Sequence, residues 1–513
     1  MSAARPRPRR HPSAAVRRRR LRIAAVAIVL LLVVALAASL ATRAHAEAPA
    51  AAQVKLSKSE GPPGSPVTVF GRGYQSLETV DVYEDTTLWT TVQADAGGSF
   101  VLHTKICSCF GPATIQVKGT GESSGLSAQA PFTVTTPWPQ FRMTPAHGGD
   151  NAFENVISTG GASAMLELWS GQTNNYFSYS SAVVSGGLVY VGSGDANLYV
   201  FDAHGCGTQT VCPVLWTGPT GGYIDATPAV AGGLVFVAST DGKLYAFPAQ
   251  GCGQATCQPV WTATTGSAIH ASPTVANGFV YVVSGDGLLH VYRAAGCGGS
   301  ACSDVWTGTL SGLIPTGSSA AVAGGRVYVG AGDSVLVFNA HGCGPSPCWP
   351  LWATPIGGNV FSSPAVAAGR VYVGSENHDL YALDAVTGSV DWLAQTGDVV
   401  EASPAVADGI VYVGSNDGGV YAFDATSGAP VWKSPTGGPV FSSPAVANGV
   451  LFAVSNDGYL YAFDAAGCGH AICGRLRRWS APGEGSPAVS DGQVIVSGQD
   501  GYLHTFGFPG LRR

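Results

Sequence analysis

The chain has 513 residues, of which 70 are Gly and 32 Pro, and only 11% are charged. A hydrophobic fraction of 46% excludes disorder as its main character, and this much Gly and Pro excludes long helical bundles. The net charge of −6 hides an asymmetry: residues 1–46 hold ten Arg and no acid, which leaves the remainder near −16 and makes nucleic acid a poor partner.

The N-terminal basic run Arg17 to Arg20 precedes an apolar stretch, Ile23 to Ala41, and then Ala44-His45-Ala46. A positive flank, an apolar core and an A-x-A ending read as a secretory signal cleaved before Glu47, or as a single uncleaved N-terminal membrane anchor. Both place the bulk of the chain outside the cytoplasm, secreted or associated with the cell envelope. Residues 47–52 form a short linker. Residues 53–136 carry about seven short alternating segments separated by turns, the pattern of a β-sandwich. The run from Leu56 to Tyr74, with G-x-P-V-T-V-x-G-x-G-Y, resembles immunoglobulin-like modules of bacterial cell-surface proteins.

From residue 137 to 513 one unit recurs. The clearest copy starts at Ser403, SPAVADGIVYVGSNDGGVYAFDATSGAPVW, and others start at Ser363 and Ser443. A tryptophan closes each copy at 169, 216, 261, 306, 352, 392, 432 and 479, with gaps of 40 to 47 residues. Each unit reads as four antiparallel strands, with N-D-G expected as a type I′ hairpin turn, so the fold class is all-β: an eight-bladed β-propeller behind a β-sandwich. This unit resembles the repeat of pyrroloquinoline-quinone (PQQ)-type propellers, the quinoprotein fold. That family includes quinone-dependent alcohol dehydrogenases and a noncatalytic propeller that assists outer-membrane protein assembly. The resemblance implies that Trp169, Trp216, Trp261, Trp306, Trp352, Trp392, Trp432 and Trp479 dock between blades as structural residues. It also marks WPQFRMTPAHGG, from Trp138, as a lead-in expected to supply a strand that closes the ring with the last blade, Ser486 to Phe508.

Ten of the twelve cysteines form close pairs, four of them spaced G-C-G-x-x-x-C. A tight zinc site wants four ligands and each loop offers two, so local disulfides are expected: Cys206-Cys212, Cys252-Cys257, Cys297-Cys302, Cys343-Cys348 and Cys468-Cys473. The two 40-residue gaps belong to units without a pair, which makes these loops decoration on the module. Cys107 and Cys109 are left as either a strained bond or free thiols.

Aligning the units on the Pro of S-P-A-V isolates a column three residues earlier: Ser178, Asp225, His270, Gly317, Phe361, Glu401, Phe441 and Glu484. First strands line a propeller's axis, so this column forms a ring at one mouth of the channel, with Tyr176, Tyr179 and Tyr223 beside it. It is the candidate binding site. The turn carboxylates Asp241, Asp286, Asp417, Asp457 and Asp500 serve hairpins rather than calcium, which takes 6–8 oxygens. Family enzymes hold the quinone with calcium and commonly carry a disulfide between adjacent cysteines. No two cysteines are adjacent here, and no hydrolase, metalloprotease, P-loop or dinucleotide motif appears. The expectation is a noncatalytic scaffold without catalytic residues, metal or cofactor, binding a protein or a cell-envelope polymer. The alternatives are a PQQ- and calcium-dependent dehydrogenase with a reduced active site, or a glycan-binding lectin.

Overall fold

The computed structural model describes residues 51–175, 180–311, 317–344 and 346–511. The leader expected over 1–46, and Tyr176, Ser178 and Tyr179, lie outside the described residues. The chain divides into two compact units, the smaller formed by most of residues 51–132 and the larger by the rest.

In the smaller unit, Gln53–Leu56, Pro66–Arg72 and Phe100–Lys105 form an antiparallel sheet. A second antiparallel pair, Thr79–Glu84 with Ala113–Gly121, buries Val80, Val82, Ile115 and Val117 on alternate positions, as a half-buried sheet requires. Tyr74 packs on Phe100 and donates to the Gly119 carbonyl at 3.1 Å. Cys107 and Cys109, in a segment that groups with the larger unit, are bonded to each other.

The larger unit is all-β. Among the described residues it holds eight sheets, numbered here by their first strands: Val183–Ser185, Ala229–Ala231, Thr274–Ala276, Ala321–Ala323, Ala365–Ala367, Ala405–Ala407, Ala445–Ala447 and Ala488–Ser490. Sheet 6 shows the plan, continuing through Ile410–Gly414 and Gly419–Asp424 to the outer strand Pro430–Pro435. The first strands touch in sequence, and the eighth touches the first. The outer strand of sheet 8 is Leu166–Gln172, which pairs antiparallel with Tyr502–Gly507. The ring is therefore closed by a strand from before sheet 1, which is the β-propeller's way of removing its open edges. The closing strand lies after the lead-in, and the lead-in does something else.

Turn chemistry explains the two hairpins. Between first and second strands, Asp408 and Gly409 have φ of 49° and 78°, the pair of positive values that a type I′ turn needs. The expected assignment of N-D-G to that type is wrong. In the second hairpin only Gly418 has positive φ, because Asp417 Oδ1 accepts the Gly419 amide at 2.7 Å and holds the aspartate in an Asx-type turn. The same carboxylate takes the Tyr421 hydroxyl at 2.5 Å, and Asp241 and Asp457 repeat both contacts. These side chains are occupied by their own hairpins.

Sheet-to-sheet fastening is repeated as regularly. The second-strand tyrosines Tyr190, Tyr281, Tyr328, Tyr372 and Tyr412 each donate to a carbonyl at the far end of a later sheet's third strand, at 2.9 to 3.1 Å. The tryptophans are mostly buried, and a turn glycine of the next unit lies on each of seven of them. At Gly251, with φ of 77°, an added Cβ would fall 2.9 Å from the Trp216 ring.

The Ser or Thr of S-P-A-V forms a belt. In six of the eight units it stands before Pro, which holds it extended, and in all eight its amide points across to the next sheet. Ser181 donates to the Thr227 hydroxyl, Thr227 to Ser272, Ser272 to Ser319, Ser319 to Ser363, Ser363 to Ser403, Ser403 to Ser443, Ser443 to Ser486, and Ser486 back to Ser181. All eight bonds measure 2.8 to 3.0 Å.

The five expected cysteine pairs are bonded. Their loops are more than decoration. Each runs parallel to the outer strand of the preceding sheet and pairs with it: Ser170 with Val211, Thr217 with Thr256, Thr262 with Ala301, Gly308 with Cys348, and Lys433 with Ile472. The disulfides therefore hold clasps between neighbouring sheets.

Candidate functional site

Residues Trp138–Asn151 circle the axis and meet every first strand in chain order. Trp138 exchanges two hydrogen bonds with Val184, and the carbonyl of Pro139 accepts the Val230 amide. The Gln140 side chain then accepts from Val275. The carbonyls of Pro145, Ala146, Gly148 and Gly149 accept the amides of Val322, Val366, Val406 and Val446, and Asn151 Nδ2 donates to the Val489 carbonyl. Two side chains brace this turn from within. The buried Arg142 guanidinium donates to the carbonyls of Pro444 and, at 2.7 Å, Pro404. His147, also buried, meets the Thr274 hydroxyl at 3.1 Å. Burial lowers Arg142 to a pKa of about 9, and burial followed by the Arg142 charge lowers His147 to about 3, so His147 is neutral.

Each first strand and the residues leading into it thus carry three levels. The valine meets this plug, the Ser or Thr three residues earlier joins the belt, and the column residue two places before that faces the other mouth. The channel is a well with a closed floor.

At its open end Asp225, His270, Gly317, Phe361, Glu401, Phe441 and Glu484 line one cavity of about 530 Å³. The structure brings these seven column positions together, one from each of seven sheets. Tyr223 is 59% exposed and is not among the lining residues. The belt pairs Ser181 with Thr227, so counting back in unit 1 gives position 179 rather than 178; both lie outside the described residues. The slip arises because unit 1 has Ala182 where the alignment needed a Pro.

The His270 Nδ1 lies 3.1 Å from Asp225 Oδ2, and that hydrogen bond raises the imidazole pKa. Glu401 is raised first by burial and further by Glu376 and Glu484. Asn456 Nδ2 donates to Glu484 Oε1 at 3.2 Å, and Asn359 Nδ2 to Glu376 Oε2 at 2.7 Å. The Asn and Glu residues of the second hairpin turns, missed in the sequence reading as mere turn formers, therefore tune this mouth. Three carboxylates and two phenyl rings suit a ligand that is cationic or hydroxylated and has an apolar face.

A calcium-held quinone does not fit. Among the described residues no three His, Cys, Asp or Glu side chains gather to hold a metal. Asp225, Glu401 and Glu484 stand on sheets 2, 6 and 8, no two of them on neighbouring sheets, far short of calcium's oxygen set.

A family model described as outer membrane protein assembly factor BamB matches residues 213–296, 298–402 and 394–506. The chain is similar in structure to BamB from Moraxella catarrhalis, with 15% identity and a TM-score of 0.53, covering 67% of this chain and 98% of that one. It is similar to a europium-containing methanol dehydrogenase at 14% identity and a TM-score of 0.58, covering 72% and 98%. The quinohemoprotein alcohol dehydrogenase from Comamonas testosteroni gives 15% identity and a TM-score of 0.57, covering 73% and 81%. These likenesses show the PQQ-type propeller fold. No curated protein matches significantly.

Proposed function

The chain belongs to the family of the outer membrane protein assembly factor BamB, and from that membership we propose that it is an exported, noncatalytic eight-bladed propeller that binds a protein or cell-envelope polymer at its open mouth. The smaller unit is its immunoglobulin-like spacer, and the basic, apolar leader carries it out of the cytoplasm. Among the described residues no helix is long and apolar enough to cross a membrane.

One observation carries the reading: the mouth is built from one residue on each of seven sheets, six of them contributing a side chain, above a closed floor. Such a ring offers a rigid recognition surface and, among the described residues, no nucleophile paired to a base and no donor set for the quinone's metal. Partner recognition needs only the shape and charge of that surface.

The test is a titration of the purified chain with PQQ and calcium, read by tryptophan fluorescence and by dye reduction with alcohols and aldoses. No saturable binding and no turnover are expected. Micromolar binding with turnover, abolished in an Asp225→Ala, Glu401→Ala double variant, would replace this reading with the dehydrogenase.

A further inference from the structure

The clasps show what the outer rim of this propeller accepts, and where the position is open. In sheets 1, 2, 6 and 8 the residue after the tryptophan donates its amide to the next unit's cysteine loop: Thr217 to Ala255, Thr262 to Ser300, Lys433 to Ala471 and Ser170 to Thr210, at 2.8 to 2.9 Å. In sheet 3 the same strand is bonded through Thr309 and Thr307 to Cys348. The loops answer with their own amides, as Cys257 does to Thr217 and Cys473 to Lys433. Among the described residues, no strand pairs with the outer edges of sheets 4, 5 and 7, whose following units lack a cysteine pair.

The three open edges differ. The sheet 7 strand Arg477–Ser480 carries two arginines, a usual defence of an exposed edge. The sheet 5 strand Val390–Gln395 is six residues long and has no such defence. Its only charge, Asp391, is tied to Arg370 at 2.9 Å. Instead Val390 is 44% exposed, Leu393 54%, and Val386 in the same hairpin 61%. The hairpin turn meets the sheet 4 outer strand through the Thr354 hydroxyl and the Gly388 carbonyl at 2.7 Å, and Trp349, 72% exposed, precedes that strand. An undefended apolar edge beside five occupied equivalents is a β-augmentation site.

We propose that the outer edge of Val390–Gln395 takes up a short extended segment of a protein partner, parallel to the strand and uncharged, with apolar residues placed against Val390 and Leu393. The partner does in trans what the cysteine loops do in cis. This surface is separate from the mouth, so it stands or falls independently of the ligand proposed there.

The probe is a library of random 12-residue peptides displayed on phage and panned on the full chain. Selected peptides are expected to be apolar and uncharged, to bind saturably, and to slow hydrogen exchange at the Leu393 amide. Binding should fall at least tenfold in Leu393→Pro, which lacks the donor. A second variant covers the edge internally, with residues 466–477 replacing Thr426–Pro430, and should also lose binding while melting no lower than the parent. Peptides that bind both variants undiminished, peptides that protect the mouth instead, or no selected peptides would overturn the proposal. So would a parent chain that is dimeric by light scattering and monomeric as Leu393→Pro, since the edge would then serve a second copy.

Discussion

A chain ending at Gly501 is expected to lose its cooperative melt. The deleted strand Tyr502–Gly507 lies between Gln493–Ser497 and the closing strand Leu166–Gln172, so its removal breaks two ladders at once. It also removes Leu503 and Phe506, which are buried, and the His504 contact to Glu167 at 2.8 Å. Burial of two such side chains contributes about 4 kcal/mol by transfer alone, and the cavity adds to it. The larger loss is topological. Without the strand, Leu166–Gln172 has no antiparallel partner, and both it and Gln493–Ser497 expose edges that sheet 8 otherwise covers. Far-UV circular dichroism melts and size-exclusion profiles of the two chains decide this. A truncated chain that melts sharply within a few degrees of the parent would mean that the ring does not depend on this closure.

Arg142→Ala is expected to cost about 3–5 kcal/mol, among the largest effects of any single substitution in the larger unit. The side chain is buried, and its guanidinium supplies hydrogen bonds to the Pro404 and Pro444 carbonyls from inside the plug. Truncation leaves those carbonyls without donors and opens a cavity under the floor of the well. Arg142→Met fills most of the space but restores neither hydrogen bond. Its expected cost is smaller, about 1–3 kcal/mol, because it also removes a buried charge that was expensive to desolvate. Denaturant midpoints at constant m-value read both effects. If Ala and Met variants unfold at the parent's midpoint, the guanidinium is not what seats the lead-in.

The repeat was legible because its tryptophans and hairpin turns recur in the same order every 40 to 47 residues, and a turn glycine packs on seven of the eight tryptophans. The mouth was legible for a related reason: Pro228, Pro273, Pro364, Pro404, Pro444 and Pro487 give the alignment a fixed point. That point is missing at Ala182 and Ala320; at Ala320 the flanking residues kept the register, and at Ala182 the alignment slipped by one residue. Three features left no periodic trace. The plug contributes mainly backbone carbonyls, whose partners cannot be read from side-chain identity. The clasp role of the cysteine loops rests on pairing with the preceding sheet, while their spacing reports only the local disulfide. The turn type at N-D-G was misassigned because the same dipeptide suits two turns, and the Asp417 side chain chooses between them by capping Gly419.

The account rests most on the lead-in being seated across the channel, since this makes the mouth a closed well. Hydrogen–deuterium exchange followed by mass spectrometry tests that directly at the amides of Val230, Val322, Val366, Val406 and Val446, all of which donate to lead-in carbonyls. These five amides are predicted to exchange only through global unfolding, slowing with the whole core as stability rises. Exchange within minutes under native conditions, at the rate of the exposed turns, would mean that the segment is not seated and the channel is open at both ends.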